Sequence, residues 1–500
     1  MDVKSGSAAQ HSIAAIMRDG LSYVPSAIVP AILALASTAV FTRLFPPSQY
    51  GIFTLMGAVT GPILSVTAQP TAQAANRFLA EYDHQGRWEE YRQALSWLTV
   101  LTMAVMIVLS ATALALWPLL HSRSVDRLVL SGTLMGLVAS VLFNILTPVL
   151  NAAIKVREFN LVMITSETLS LGLPILLILL LGHHIAWLLW GNALAVLAVL
   201  PWLVARADIL RPLRAISGAT RQTVARFVRY GSPMALWFFG SSMLNLGDRY
   251  IIQAFHGSGQ VGLYGANYAM VIRGVGLIAG PVLTAVGPRL LRQWAEGDVP
   301  AVRKTMSRMT SVYLLLGGAL VGLVAVAGRA LASVILARSF LPGAAILVPV
   351  TAGSVIWGVS RIGHKSMEFR ERNPLMVWDV LAATGVNFGL NILFIPRYGF
   401  VAAGYTTLIA YVVYSGLVWW QARRLIPWDI VWTDVLAYIV AGAGGCAVVR
   451  LVIPSPVSLH ALPVIAFIVG ASVLFLIVYG ALVSAWFWMR RESPLTWLRT

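Results

Sequence analysis

Charged residues that interrupt long apolar runs are the first candidates for chemistry in this sequence. Arg273 is the deepest of the positive charges: it lies about eleven residues into the run 262–288, or about 17 Å along a helix that rises 1.5 Å per residue. An ionisable side chain at such a depth costs about 3 kcal/mol or more, so a functional role is the default interpretation. The guanidinium fork suits phosphate anions, and neutralisation by a neighbouring helix is the alternative.

A second polar group lies at the end of the preceding apolar run. Asn245, Asp248 and Arg249 are spaced three and four residues apart and therefore share one helix face, which we expect to line the outer half of a cavity. Neutralisation of Arg249 or Arg273 by Asp248 is an equally good structural interpretation. Asn267 continues the polar pattern on the next run, where interhelical hydrogen bonding is an alternative role.

A polar stripe lies on the second apolar run, near its end. Gln69, Gln73 and Asn76 recur at helical spacing and Arg77 comes next, so one helix face carries amides and a cation. Such a face in lipid would be expensive. We expect it to meet water or protein and to contribute to the same cavity.

Two acids are candidates for cation coupling, in which a carboxyl group gains a proton in one state and loses it in another. They are Glu167 and Asp379, each about six residues from the inner end of its apolar run. A solvated or arginine-paired structural role is the favoured alternative. Arg361, His364 and Lys365 predict a cationic rim at the inner end of another run, although charge topology alone also explains them.

Motifs for covalent chemistry are absent from the sequence. There is no P-loop, and the His183–His184 pair lacks the carboxylate and the spacing of a zinc protease. The only cysteine, Cys446, excludes an intrachain disulfide and a cysteine-based metal site. We therefore predict no catalytic residue, no metal site and no organic cofactor.

The amino-acid composition predicts the kind of secondary structure that holds these residues. Of the 500 residues 58% are hydrophobic and 11% are charged, whereas a soluble domain has about 25% charged residues. This excludes a soluble protein and predicts an all-α polytopic membrane protein. A window of about 19 residues finds fourteen spans. They lie near 22–44, 51–76, 94–118, 128–154, 161–182, 184–204, 231–256, 262–288, 309–328, 341–364, 374–395, 401–421, 434–453 and 461–488.

The basic residues predict the orientation of these spans. With the N-terminus inside, 27 of the 36 lysines and arginines lie on the inner side, seven on the outer side and two within spans. The positive-inside rule then places both termini in the cytoplasm. The formal charge of +17 is thus explained by topology, and no nucleic-acid partner is expected.

An internal duplication organises the spans. At an offset of 211, Arg18, Gly20, Gln49, Gly51, Gly86 and Arg92 match Arg229, Gly231, Gln260, Gly262, Gly297 and Arg303, and at 213 the pair Arg157–Glu158 matches Arg370–Glu371. Six spans per copy give both copies one orientation, with a pseudo-two-fold axis along the membrane normal and a cleft between them. The predicted domains are a six-helix lobe over 1–204, a basic cytoplasmic linker over 205–230, a six-helix lobe over 231–425, and two additional helices with a short cytoplasmic tail over 426–500.

Several loose motifs resemble the polysaccharide biosynthesis or oligosaccharide flippase family of the Wzx type, over nearly the whole chain. They are Gln49–Phe53 (QYGIF), Asn76–Tyr82 (NRFLAEY), Leu246–Ile252 (LGDRYII), Val261–Tyr264 (VGLY), Asn391–Gly399 (NILFIPRYG) and Ala402–Gly404 (AAG). The resemblance implies the exporter superfamily that also contains multidrug and toxin extruders and lipid II flippases. Two lobes around a central cavity, and alternating access, are implied with it.

The function implied by this resemblance is transport without bond formation. The cargo would be an undecaprenyl-pyrophosphate-linked oligosaccharide, moved from the cytoplasmic to the outer leaflet of the bacterial inner membrane for O-antigen, capsule or exopolysaccharide synthesis. Membrane lipids, a polysaccharide polymerase and a chain-length regulator are the implied partners of a monomer. The coupling ion, H+ or Na+, stays open.

Two other functions are weighed against it. A cation-coupled multidrug extruder of the same superfamily should line its cavity with carboxylates, whereas the deep charge here is positive. An integral-membrane polymerase or ligase should need a sizeable extracytoplasmic loop, and no predicted outer connection exceeds about 15 residues.

Overall fold

The computed structural model of the protein describes residues 24–117, 125–213, 217–454 and 461–490. Within these ranges the regular elements are fifteen α-helices and one 3-10 helix. They are α1 (Val24–Leu44), α2 (Pro47–Thr67), α3 (Gln69–His84), α4 (Trp88–Ala115), α5 (Arg127–Ala152), α6 (Val156–Leu181), α7 (Ala186–Ala207), α8 (Gly218–Leu246), α9 (Asp248–Ala295), α10 (Val299–Ile335), the 3-10 helix (Arg338–Ile346), α11 (Leu347–Phe369), α12 (Asn373–Tyr398), α13 (Phe400–Leu425), α14 (Trp432–Val452) and α15 (Ala461–Met489).

Most of these helices have the length and composition of membrane spans. Among the described residues, eleven segments qualify: α2, α4 to α7, α10, the 3-10 helix with α11, and α12 to α15. The other three predicted spans correspond to α1, α8 and α9. The prediction of an all-helical, multi-pass membrane protein is confirmed, with a span number roughly consistent with fourteen. The predicted cytoplasmic tails lie largely outside the described residues.

The second predicted span is too long at its end. The span was placed over 51–76, but α2 ends at Thr67 and α3 begins at Gln69 after a turn at Ala68. Pro70 accounts for the boundary, because proline is tolerated in the first turn of a helix and disrupts a helix interior. The predicted polar stripe therefore lies on α3, a separate amphipathic helix.

Helix α9 contains a sharp interruption. Gly257 has φ 76° and ψ 178°, a backbone conformation that side-chain-bearing residues avoid. It separates a short first part, Asp248 to His256, from the long remainder of the helix. This break agrees with the predicted gap between the seventh and eighth spans.

The duplicated halves end and begin their helices at equivalent positions. Gly86 and Gly297, which are 211 residues apart, both have left-handed φ values, 67° and 75°. In each case the next residue donates its N–H to the carbonyl five residues earlier, at 2.9 Å for Arg87 to Tyr82 and 3.0 Å for Asp298 to Gln293. This is the Schellman type of helix end. Helices α4 and α10 then begin at positions that are again 211 residues apart. Arg18 and Gly20 of the predicted repeat lie outside the described residues.

The chain divides into two compact units. The first contains the chain up to Ser37 and the segment Leu55–Ser242, and the second contains Thr38–Thr54 and everything from Met243 onward. Helices α1, α2 and α8 each pass from one unit into the other. Residues 218–230 of the predicted linker form the first turns of α8. Because the compact units are defined by packing and the lobes by duplication, the predicted lobe boundaries stay a prediction.

The core of the first unit is rich in aromatic rings where α3, α4 and α8 meet. Phe227 is 1% exposed, stacks on Phe78 at 5.3 Å between ring centroids, and meets Tyr82 and Tyr91 edge-on. The Tyr91 hydroxyl donates to the Ala75 carbonyl at 2.8 Å. These contacts join α3 to its neighbours and so hold its polar stripe in place.

Candidate functional site

The Arg273 side chain is accessible and has an uncharged hydrogen-bond partner. It lies on the long part of α9, is partly exposed, and donates a hydrogen bond from Nη1 to the Thr38 hydroxyl at 3.3 Å. Thr38 is a neutral partner, and no carboxylate forms an ion pair with Arg273 within the described ranges. A guanidinium with a neutral neighbour and partial exposure can still bind an anion.

Arg249 is in the opposite situation. Its Nη1 lies 3.0 Å from the Asp248 carboxylate and 2.8 Å from the Asn245 carbonyl, and the two charged side chains are only 5% and 0% exposed. Tyr264 donates to the other Asp248 oxygen. Arg249 therefore belongs to a buried, neutralised pair, and the contacts favour the structural interpretation for both residues.

Two further tyrosines complete this Asp248–Arg249 network. The Tyr268 and Tyr411 hydroxyls lie 3.1 Å apart and both donate to the Asn245 amide oxygen, while the Arg249 guanidinium stands 4.8 Å from the Tyr268 ring centroid. The network joins α8, α9 and α13. Sequence reasoning missed Tyr268 and Tyr411. The spacing of Tyr264 and Tyr268 on one face was available as a signal, whereas nothing local pointed to α13.

Asn267 also has a structural role in these contacts. Its side chain is fully buried, and its amide nitrogen donates to the Leu263 carbonyl at 2.9 Å and to the Phe340 carbonyl at 3.0 Å. The amide thus holds the 3-10 helix against α9. This is the hydrogen-bonding alternative that the sequence had left open.

The polar stripe of α3 belongs to the first unit. Gln73 donates to Gln69 at 3.3 Å and both are partly buried, whereas Asn76 and Arg77 are exposed. Near the end of the helix, Arg226 of α8 donates two hydrogen bonds to Glu81, at 2.7 and 3.1 Å, which lower the pKa of that carboxyl. The stripe therefore has one exposed amide, one exposed cation and two partly buried amides, and its place in a cavity stays a prediction.

The two candidate coupling acids differ in their surroundings. Asp379 on α12 is 2% exposed and accepts one hydrogen bond from the Gln421 amide of α13 at 2.5 Å. Its second oxygen is buried without a hydrogen-bond partner among the described atoms. The arginine-paired alternative is therefore wrong for Asp379. Glu167 is partly buried on α6, in the other unit.

Two of the three residues of the predicted cationic rim are accessible, and their role as a rim stays a prediction. Arg361 is exposed, and Lys365 is partly buried and paired with Glu368 at 2.6 Å. His364 is 5% exposed and shares a 2.8 Å hydrogen bond with the Tyr414 hydroxyl, so it faces α13. The contact with Tyr414 explains the error, since that partner lies on α13 and the sequence of α11 does not reveal it.

The fold is known from solved transporters. A lipid II flippase, MurJ, in an inward closed conformation, superposes with a TM-score of 0.76 at 14% identity, covering 94% of this chain and 99% of that chain. A multidrug resistance MATE family transporter of the MOP superfamily in an inward-facing conformation gives 0.64 at 13% identity, covering 81% and 98%. A MOP superfamily transporter from Pyrococcus furiosus, described as having a binding pocket of reversed polarity, gives 0.59 at 13% identity, covering 82% and 95%.

These likenesses show that the chain has the same fold as these solved transporters. Residues 16–294, more than half of the chain, match the family described as polysaccharide biosynthesis protein. The chain belongs to this family, as the sequence motifs indicated. No curated protein matches the chain significantly.

Proposed function

We propose that the protein is a flippase for an undecaprenyl-pyrophosphate-linked oligosaccharide. It carries this cargo from the cytoplasmic to the outer leaflet of the bacterial inner membrane by alternating access and so serves surface polysaccharide synthesis. Family membership supports the pathway class. The observation that carries the proposal is Arg273, a deep, partly exposed cation whose described hydrogen-bond partner is neutral.

The residues have distinct roles in this proposal. Arg273 binds the pyrophosphate, since a guanidinium offers two parallel donors to phosphate oxygens. Within the first unit, taken by itself, the amides of Gln69, Gln73 and Asn76 are candidates for sugar hydroxyls, and Arg77 adds charge at the end of that stripe. The Asp248–Arg249 network supports α9, the helix that carries Arg273.

The competing proposal is a cation-coupled multidrug extruder of the same superfamily. Asp379 favours it, because a buried carboxylate without a cationic partner suits cation binding. The side chain is 2% exposed, however, while Arg273 is partly exposed. Accessible positive charge supports an anionic cargo. Asp379 and Glu167 remain candidates for H+ or Na+ coupling, and the polymerase, the chain-length regulator and the monomeric state remain expectations.

Deletion of the gene in its host tests the two proposals together. The flippase proposal expects undecaprenyl-linked oligosaccharide to accumulate in extracted lipids and surface polysaccharide to disappear, with unchanged sensitivity to cationic drugs. Mass spectrometry of the accumulated lipid then identifies the sugar. Drug hypersensitivity with normal polysaccharide would instead establish the extruder.

A further inference from the structure

The last turn of α13 carries an arginine stacked on an exposed tryptophan. The Arg424 guanidinium carbon lies 3.7 Å from the centroid of the Trp420 ring, and both side chains are exposed. Among the residues that the structure describes, no carboxylate forms an ion pair with Arg424, whereas Arg490 at the end of α15 is paired with Asp434 at 2.6 Å. The basic-residue count assigns this end of α13 to the inner side. Arg424 can therefore bind an anion from outside the chain at the inner surface.

An exposed apolar stripe leads along α13 to this arginine. Ile409, Val412 and Gly416 precede Trp420 at spacings of three and four residues and so share one helix face, and all of them are exposed. The eleven residues from Ile409 to Trp420 rise about 17 Å, close to half of a hydrocarbon core of about 30 Å. The stripe therefore has about the length of one lipid leaflet, and the cation lies at its inner end.

Helix α12 presents a tryptophan on the same side. The antiparallel helices α12 and α13 pack together, and the Gln421 amide donates to Asp379 at 2.5 Å near their inner ends. Trp378, which is 70% exposed, directly precedes Asp379, just as Trp420 directly precedes Gln421. On two antiparallel helices, residues that come one position before the contact lie on the same side of the pair. The two indole rings therefore belong to one surface.

Three glycines leave this surface without side chains along part of its length. Gly385 and Gly389 of α12 and Gly416 of α13 are exposed, and a Cβ atom at any of them would meet no atom within 4 Å. Gly385 and Gly389 follow Trp378 by two and three helical turns, on its exposed face. A ligand can therefore approach the backbone of both helices closely. We call this surface the hairpin face; its residues are Trp378, Gly385, Gly389, Gly416, Trp420 and Arg424.

We propose that the hairpin face binds one anionic phospholipid of the inner leaflet. The phosphate binds Arg424 beside the two indole rings, and an acyl chain lies along the apolar stripe and the glycines. An apolar stripe of leaflet length that ends in a cation without a carboxylate partner is complementary to such a lipid. This site lies away from the pyrophosphate-binding role proposed for Arg273, and it does not rest on the flippase proposal.

A second cation accounts for the preference for a negative headgroup. Arg423, the neighbour of Arg424, is also exposed and lies 4.7 Å from the Trp419 ring centroid, and no carboxylate pairs with it within the described ranges. Two adjacent guanidinium groups attract a phosphate and repel the ammonium group of a zwitterionic headgroup. Phosphatidylglycerol is therefore expected to bind in preference to phosphatidylcholine.

A lipid titration tests the site. The purified, delipidated protein receives phosphatidylglycerol or phosphatidylcholine with the same acyl chains, and the thermal unfolding midpoint is followed in detergent. Phosphatidylglycerol is expected to raise the midpoint by several degrees and to saturate, because it binds the folded protein. Native mass spectrometry should show one retained molecule. Equal effects of the two lipids would overturn the proposal.

Substitution of the cation locates the headgroup. Arg424→Gln should weaken the apparent affinity for phosphatidylglycerol at least about tenfold, because a charge-assisted hydrogen bond is lost. Arg450→Gln, at an exposed arginine of α14, is the control and should bind as the wild type does. Unchanged affinity of the Arg424 variant would overturn the site.

A larger side chain at Gly416 tests where the acyl chain lies. Gly416→Leu fills the space along the stripe and should weaken phosphatidylglycerol binding several-fold. Gly480→Leu is the matched control, because Gly480 of α15 is also exposed and a Cβ there also meets open space. The unfolding midpoints without lipid show that both variants fold. Equal affinities of the two variants would contradict an acyl chain on the hairpin face.

Undecaprenyl pyrophosphate separates this site from the proposed cargo. Its binding should depend on Arg273 and remain unchanged in Arg424→Gln. Loss of undecaprenyl pyrophosphate binding in Arg424→Gln, with phosphatidylglycerol binding retained, would assign the hairpin face to the cargo and overturn the phospholipid site. Phosphatidylglycerol binding that requires Arg424, together with normal polysaccharide in the deletion strain, would retain the site and overturn the cargo.

Discussion

At the scale of single residues, the two deep arginines differ in what surrounds their charges. Arg249 is paired with Asp248 inside a set of tyrosines, and Arg273 faces a hydroxyl. The sequence located both arginines because charge inside an apolar run is rare. It left their roles open, because Tyr411 is 162 positions from Arg249 along the chain and only folding brings them together.

The first prediction concerns Arg273. Arg273→Ala should abolish export while the protein still folds and inserts, because it removes the charge but no buried ion pair. Arg273→Lys should retain partial export, since the charge remains and the two-pronged geometry is lost. Surface polysaccharide in complemented deletion strains measures both. Arg450→Ala, an exposed arginine on α14, is the control. Full export by the Ala variant would remove Arg273 from the site.

The second prediction concerns the Asp248–Arg249 pair. Asp248→Asn should destabilise the purified protein by about 3–5 kcal/mol, because it leaves a buried guanidinium without a counter-charge. Asp248→Asn with Arg249→Met should recover much of that loss. The thermal unfolding midpoint in detergent reports the changes.

Asp429→Asn is the control for that series. It breaks a pair with Arg303 whose side chains are about half exposed, so it should cost at most about 1 kcal/mol. Equal losses for the buried and the exposed pair would show that the Asp248–Arg249 network does not stabilise the second unit.

At the scale of helices, most elements follow from the sequence because about twenty consecutive apolar residues have few alternatives to a membrane helix. Helix α3 was the exception: its amides at helical spacing extended the apparent second span, and Pro70 ended that span instead. The burial of His364 was missed for a related reason. A basic residue at a helix end looks like surface until its neighbour, Tyr414, is known.

The third prediction tests how α3 is held. Phe227→Ala should destabilise the protein by about 3–5 kcal/mol, because it removes a buried ring that contacts three others in the first unit. Val228→Ala, at the next position and 50% exposed, should change stability by no more than about 0.5 kcal/mol. Thermal unfolding in detergent compares the two variants. Similar midpoints would contradict the assigned core.

At the scale of the whole molecule, the duplication was visible in the sequence as a nearly constant offset. The structure adds its physical meaning, since the equivalent glycines Gly86 and Gly297 end equivalent helices. The division of the chain into two compact units could not be predicted from the sequence. Residues 38–54 are part of the first repeat by sequence and pack with the second unit, and only side-chain and backbone contacts decide this.

The most direct test of the central claim is the leaflet distribution of the lipid-linked oligosaccharide. Intact spheroplasts with and without the protein are treated with an impermeant sugar-oxidising reagent, and the protected and modified lipid are quantified by mass spectrometry. We predict that depletion of the protein raises total lipid-linked oligosaccharide and lowers the modified, outer-leaflet fraction, and that wild type but not Arg273→Ala restores it. An outer-leaflet fraction that is unchanged by depletion would contradict the flippase account.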